Sequence, residues 1–131
     1  MRSTRKLTKF IYTLLVILTV WVVNPVMAGS GDPGVAKKAW PMIEQGVLLI
    51  DVRTEEEYSA GHIKEALNIP WEETGNLIAA IGRDKQRPVV IYCRSGNRSG
   101  KAKKALELNG YSHVFNATGY EALKETKPDN P

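Results

Sequence analysis

A single cysteine, Cys93, stands in 131 residues. One thiol excludes an internal disulfide. The two histidines, His62 and His113, lie far from it and from each other in the chain. That spacing makes no metal-binding motif, so neither a metal nor another cofactor is expected. Aromatic residues are only 8% of the chain; Trp40, Tyr58 and Trp71 are scattered and read as packing rather than as a substrate box. Internal repeats and low-complexity segments are absent, and the length suits one domain. A basic body is also missing. Lys and Arg number 18 against 14 Asp and Glu, but Arg2, Arg5, Lys6 and Lys9 all fall in the first nine residues. The remainder is balanced in charge, whereas phosphate binding needs a basic excess in the folded part. No nucleic-acid partner is expected.

What is present begins with an export signal. The basic stretch Met1 to Lys9, the apolar run Phe10 to Val23, the helix breakers Asn24 and Pro25, and the small-residue exit Val26-Met27-Ala28 follow the order of a secretory signal peptide, residues 1–28. The apolar run spans 14 residues, short of the ~20 that cross a bilayer as a helix. Cleavage after Ala28 would leave Gly29 to Pro131 with no stable membrane association. No cysteine follows the run, which argues against a lipoprotein anchor. The expected location is outside the cytoplasm, in the periplasm if the source is a diderm bacterium. An oxidising compartment makes a free thiol a liability unless the thiol is used.

Beyond the signal, strands and helices alternate. Residues 29–34 read as a loose leader, with Asp32 as a helix cap and Pro33 at the first helical position. Val35 to Gln45 has helical character, and Pro41 inside it argues for a kink or a late start. Val47 to Val52 is a buried parallel strand, and Thr54 with Glu57 forms a capping box for a short helix. Ala66 to Ile69 is a short strand, Trp71 to Ile81 a helix, and Pro88 to Tyr92 a second buried strand running into Cys93. Residues 93–98 form a loop, Ser99 to Asn109 a helix, His113 to Asn116 a strand and Tyr120 to Lys124 a final helix. The domain is placed at residues 35–125, with a disordered tail at 126–131. Such alternation indicates an α/β domain with a mainly parallel sheet. Ligand sites in these sheets lie beyond the carboxyl ends of the strands, where Cys93 falls.

The loop Cys93-Arg94-Ser95-Gly96-Asn97-Arg98-Ser99 carries the chemistry. It has no bulky apolar residue, and Gly96 and Asn97 tolerate left-handed backbone. Its backbone can therefore curl into an anion-binding ring of N–H groups, backed by the positive end of the next helix. Arg94 and Arg98 add full charges. All three effects favour thiolate, so the Cys93 pKa is expected below the free value of about 8.5. The same cradle suits a small oxyanion. This chemistry requires a thiol that solvent reaches and that is more acidic than free cysteine.

Several blocks in order resemble the rhodanese family from about Val35 to Lys124. Leu48-Leu49-Ile50-Asp51-Val52-Arg53 is similar to its first core strand with a D-x-R ending. Glu57-Tyr58-Ser59-Ala60-Gly61-His62-Ile63 and Ala66-Leu67-Asn68-Ile69-Pro70 resemble its G-H-I and N-I-P signature. Val89 to Cys93 with the loop to Arg98 resembles its active strand and loop. Val114 to Gly119 resembles its closing G-G block, with Thr118 replacing the first glycine; little functional weight attaches to that change. The resemblance implies a five-stranded, mainly parallel sheet with helices on both faces. It implies a thiosulfate sulfurtransferase in which Cys93 takes up a sulfane sulfur as a persulfide and passes it to cyanide or a thiol, with Arg94, Ser95, Gly96, Asn97, Arg98 and Ser99 holding the donor anion. A monomer is expected.

Asp51 and Arg53 are expected in support, as an ion pair with Glu57 or a neighbour that fixes the loop. His62 is read as a structural residue of its turn and His113 as a surface residue. Two other functions use a similar cysteine. A cysteine phosphatase or arsenate reductase places five residues between cysteine and arginine, and here Cys93 and Arg98 enclose four. A non-catalytic persulfide carrier would keep the same loop and hand sulfur to a partner.

Overall fold

A computed structural model describes residues 29–129; the expected signal peptide lies outside the described residues. Nine elements alternate: α1 (Pro33–Glu44), β1 (Leu48–Asp51), α2 (Glu55–Ser59), β2 (Leu67–Asn68), α3 (Thr74–Ile81), β3 (Val89–Cys93), α4 (Asn97–Leu108), β4 (Val114–Gly119) and α5 (Tyr120–Glu125). The strands make one parallel sheet in the order β2-β1-β3-β4. Among the described residues the sheet has four strands, not the expected five. Ahead of α1, Gly29 and Gly31 take φ of 92° and 90°, and such left-handed residues do not sustain an extended ladder.

Strand β3 organises the core because all five of its residues are buried. Side chains on a strand alternate between faces. Val90 and Tyr92 join Ala36, Ala39, Trp40 and Leu123 in the layer under α1 and α5. Val89, Ile91 and Cys93 join Leu77, Ile81, Ala102 and Leu106 in the layer under α3 and α4. Helices thus cover both faces, as expected. Burying a large aliphatic side chain in such layers contributes about 1.5–3 kcal/mol.

The ends of α1 show where local chemistry decided. Asp32 caps it, accepting from the Gly34 and Val35 N–H groups at 2.8 and 3.2 Å, and Pro33 occupies the first position. The helix passes through Pro41 without a late start. Packing of Ala36, Ala39 and Trp40 outweighs the one backbone bond that proline removes. Neither flanking segment is as loose as expected near the domain. Ser30 accepts from the Ala122 N–H at 3.2 Å, and Thr126 Oγ1 accepts from Trp40 Nε1 at 3.3 Å.

Candidate active site

Cys93 ends the central strand and faces the α4 layer. Helix α4 starts at Asn97, two residues earlier than expected, so the true loop is only residues 94–96. Asn97 and Arg98 already lie in the first helical turn. Gly96 makes the turn possible with φ of 102°. A Cβ there would approach Thr118 Cα to 3.2 Å, so the position demands glycine twice over.

The short loop folds its N–H groups onto the sulfur. The Gly96 N–H donates to Cys93 Sγ at 3.0 Å. Ser99 Oγ lies 3.3 Å from the same sulfur and 2.7 Å from Asn116 Oδ1. One hydroxyl proton serves only one acceptor at a time, so Ser99 is a shared donor and the Gly96 N–H a dedicated one. Burial pushes the Cys93 thiol up, but the Ser99 hydroxyl and the Ser99, Ser95 and Gly96 backbone groups together outweigh it. The thiol is therefore more acidic than an ordinary one, because bonds to the charged form favour that form.

Two expectations change here. The acidity arises chiefly from these hydrogen bonds rather than from the arginines. Arg98 forms a two-pronged pair with Glu57, with Nη1–Oε1 and Nη2–Oε2 at 2.6 and 2.9 Å. Its charge still senses Cys93, and the Glu57 bond is the main reason its own pKa is raised. Glu57 was expected to close a capping box. Thr54 Oγ1 accepts from the Glu57 N–H at 3.2 Å and donates to Glu57 Oε1 at 3.3 Å, so the two residues do pair across the helix start, while the carboxylate also takes both Arg98 bonds. The second change concerns access. Cys93 is only 1% exposed, because it continues a strand buried on both faces and lies beneath α4. The requirement of an acidic thiol is met and that of an open one is not.

The remaining loop residues divide by exposure. Arg94, Ser95 and Asn97 are exposed, Gly96 and Arg98 half-buried, and Ser99 buried. Arg94 has no carboxylate partner among the described ion pairs. With Arg53, Glu57, Gly61, Tyr120 and Lys124 it lines a cavity of about 500 Å³ beside the loop. Cys93 does not line that cavity.

Asp51 and Arg53 form a buried ion pair with each other at 2.7 Å. Arg53 Nη2 also donates to the Gly61 carbonyl at 2.7 Å, and its guanidinium lies 4.4 Å from the Tyr120 ring centre. The pair thus ties the end of β1 to the turn after α2. His62 stacks on Tyr58 with ring centres 3.6 Å apart, and its Nδ1 lies 2.9 Å from the Tyr58 carbonyl. His113 is exposed. Neither histidine enters the site.

One residue escaped notice in the sequence. Asn116 on β4 accepts from Ser99 Oγ and, at 3.0 Å, from the Thr118 N–H, and its Nδ2 donates to the Gly96 carbonyl at 3.0 Å. It holds both groups that touch the sulfur. The available signal was a lone amide between the apolar residues Phe115 and Ala117 of that strand.

A family model described as a rhodanese-like domain matches residues 35–126. The chain belongs to the rhodanese-like family. It is 42% identical over 78 residues to the thiosulfate sulfurtransferase PspE of Escherichia coli K12, covering 60% of this chain and 75% of PspE. The solved structure of an E. coli rhodanese with anions matches with a TM-score of 0.53 at 43% identity, over 57% of this chain and 88% of that one. The human single-domain sulfurtransferase TSTD1 matches with a TM-score of 0.58 at 27% identity, over 70% of this chain and 93% of that one.

Proposed function

We propose that this rhodanese-like chain is an exported thiosulfate sulfurtransferase. The Cys93 thiolate, once the loop of residues 94–96 uncovers it, attacks the outer sulfur of thiosulfate. A sulfur–sulfur bond forms to Cys93 as the donor's own sulfur–sulfur bond breaks, and sulfite leaves with that electron pair. Cyanide or a thiolate then attacks the outer sulfur, and Cys93 returns as thiolate. Arg94 draws in the anion; the loop N–H groups of Ser95 and Gly96, with Ser99, stabilise negative charge on sulfur. Asn97 and Arg98 line the helix end, and Asp51 with Arg53 holds the neighbouring turn. Export rests on the signal pattern of residues 1–28, and the mature protein acts as a monomer.

The observation that carries this function is the acidic thiol under the Gly96 N–H at the end of the central strand. Intact-mass measurement after incubation with thiosulfate tests it. The protein should gain one sulfur atom, and Cys93→Ser should gain none. No gain in the native protein would show that the buried thiol is out of the donor's reach. A stable gain with no thiocyanate formed on adding cyanide would favour a carrier that delivers sulfur to a partner protein.

A further inference from the structure

Thr118 has a left-handed φ of 67°, a costly conformation for a β-branched residue. Its contacts show what holds it there. Thr118 Oγ1 accepts from the Asp32 N–H at 3.0 Å and lies 3.3 Å from the Asp32 carbonyl. Asp32 ends a segment, residues 29–32, that precedes the domain and lies across Gly119. A Cβ on Gly31 would come 2.5 Å from Gly119 N, and one on Gly119 would collide with the carbonyl oxygens of both Ser30 and Arg94. Gly119 is therefore pressed between the leading segment and the Cys93 loop, and it is also the sheet partner of Cys93. At its start the segment meets the loop directly, since a Cβ on Gly29 would lie 3.2 Å from Ser95 Cβ. On its other side Thr118 backs Gly96, whose N–H is the dedicated donor to the sulfur.

We propose that residues 29–32 form a strap that clamps the Cys93 loop, and that Thr118 is the positioning residue coupling strap to loop. It deepens the sulfurtransferase reading by taking Cys93 as the reacting thiol. The strap reaches the sulfur through two packed layers, Thr118 against Gly96 and Gly119 against Arg94. Threonine supplies a hydroxyl that glycine lacks, and that hydroxyl grips Asp32 from both sides of its backbone.

The test is the rate of Cys93 alkylation by iodoacetamide against pH, read beside the melting temperature. Thr118→Gly removes the hydroxyl and relieves the backbone, so a merely structural role predicts an equal or higher Tm and an unchanged thiol midpoint. The strap predicts a midpoint raised by about half a pH unit, roughly threefold less thiolate below it, without loss of Tm. Thr118→Ser keeps the hydroxyl and should restore the native midpoint; a serine variant that titrates like the glycine one overturns coupling through the hydroxyl. Gly31→Ala forces the strap off Gly119 from outside the domain and should raise the midpoint likewise. Native midpoints in both Thr118→Gly and Gly31→Ala overturn the proposal. Alkylation needs no sulfur donor, so these shifts in a protein that takes up no sulfur would sink the sulfurtransferase function and leave the strap standing.

Discussion

The two sides of the Cys93 loop are built from different interactions. Toward α2 the contacts join full charges: Asp51 with Arg53, and Glu57 with Arg98. Toward β4 they join neutral groups: Asn116 with Ser99, Thr118 and Gly96. Only the neutral side reaches the sulfur, through the Gly96 N–H and Ser99 Oγ. A cation with its own carboxylate presents a weak field to a third group. A fixed N–H dipole at 3.0 Å presents a strong one and needs no reorganisation when charge appears. The charged side therefore sets the shape of the pocket, and the neutral side sets the acidity of the thiol. Among the described residues that line the cavity, Arg94 alone is a cation without a carboxylate partner and can meet a donor anion.

The largest blow to this division should fall on the charged side and be felt as stability. Asp51→Ala leaves Arg53 as a buried, uncompensated cation, a change that costs about 3–5 kcal/mol. Denaturant unfolding measures it, and a thiol midpoint near native in the folded fraction would confirm that this side acts on shape. Next comes Asn116→Ala. It strips partners from the Gly96 carbonyl, the Ser99 hydroxyl and the Thr118 N–H, at a cost of about 1–3 kcal/mol. The Ser99 proton is then left to the sulfur alone while Gly96 loses its anchor. The thiol midpoint should therefore shift, upward where the Gly96 N–H governs the acidity and downward where Ser99 does, with the thiolate-dependent rate at neutral pH following it. A larger midpoint shift in Asp51→Ala than in Asn116→Ala would break the division.

Much of this architecture was legible because it is local. The apolar run Val89-Val90-Ile91-Tyr92 marks a strand buried on both faces, and Asp32-Pro33 marks the start of α1. The curled backbone at Gly96 follows from the residue types of the loop. The sequence misled where one local rule met a distant partner. The pattern Thr54 with Glu57 signals a capping box and the two do pair, but it gives no sign that the Glu57 carboxylate is also held by Arg98, 41 positions away. Arg98 then no longer counts as a free charge beside the thiol. The importance of Asn116 and Thr118 was invisible for the same reason. The partners of Asn116, Gly96 and Ser99, meet it only when β4 lies beside β3, and the partner of Thr118, Asp32, lies 86 positions away in the chain. The burial of Cys93 is equally non-local: helix α4 begins at Asn97 rather than Ser99, which shortens the loop and sets the helix over the thiol.

The smallest expected effect sharpens the comparison most. Arg98 holds the Glu57 carboxyl down at about 2, from an ordinary 4.5, with burial opposing and the Thr54 bond assisting. A carboxyl depressed on folding contributes stability that is complete above about pH 4.5 and is lost as pH falls toward 2. Both side chains are about a third exposed or less, 26% and 31%, so solvent and salt hold the contribution to about 0–1 kcal/mol. Glu57→Gln should thus lower stability slightly at neutral pH, with the difference fading as pH falls through about 2, which paired unfolding curves would show. The kinetic consequence runs the other way. Glu57 lines the cavity with Arg94, so removing its carboxylate takes a negative charge away from the donor's path and leaves Arg98 unpaired, and the KM for thiosulfate at low salt should fall. Should KM rise instead, Arg98 depends on Glu57 for its orientation toward the donor. The charged side would then take part in binding, and the separation of shape from chemistry would hold for the thiol alone.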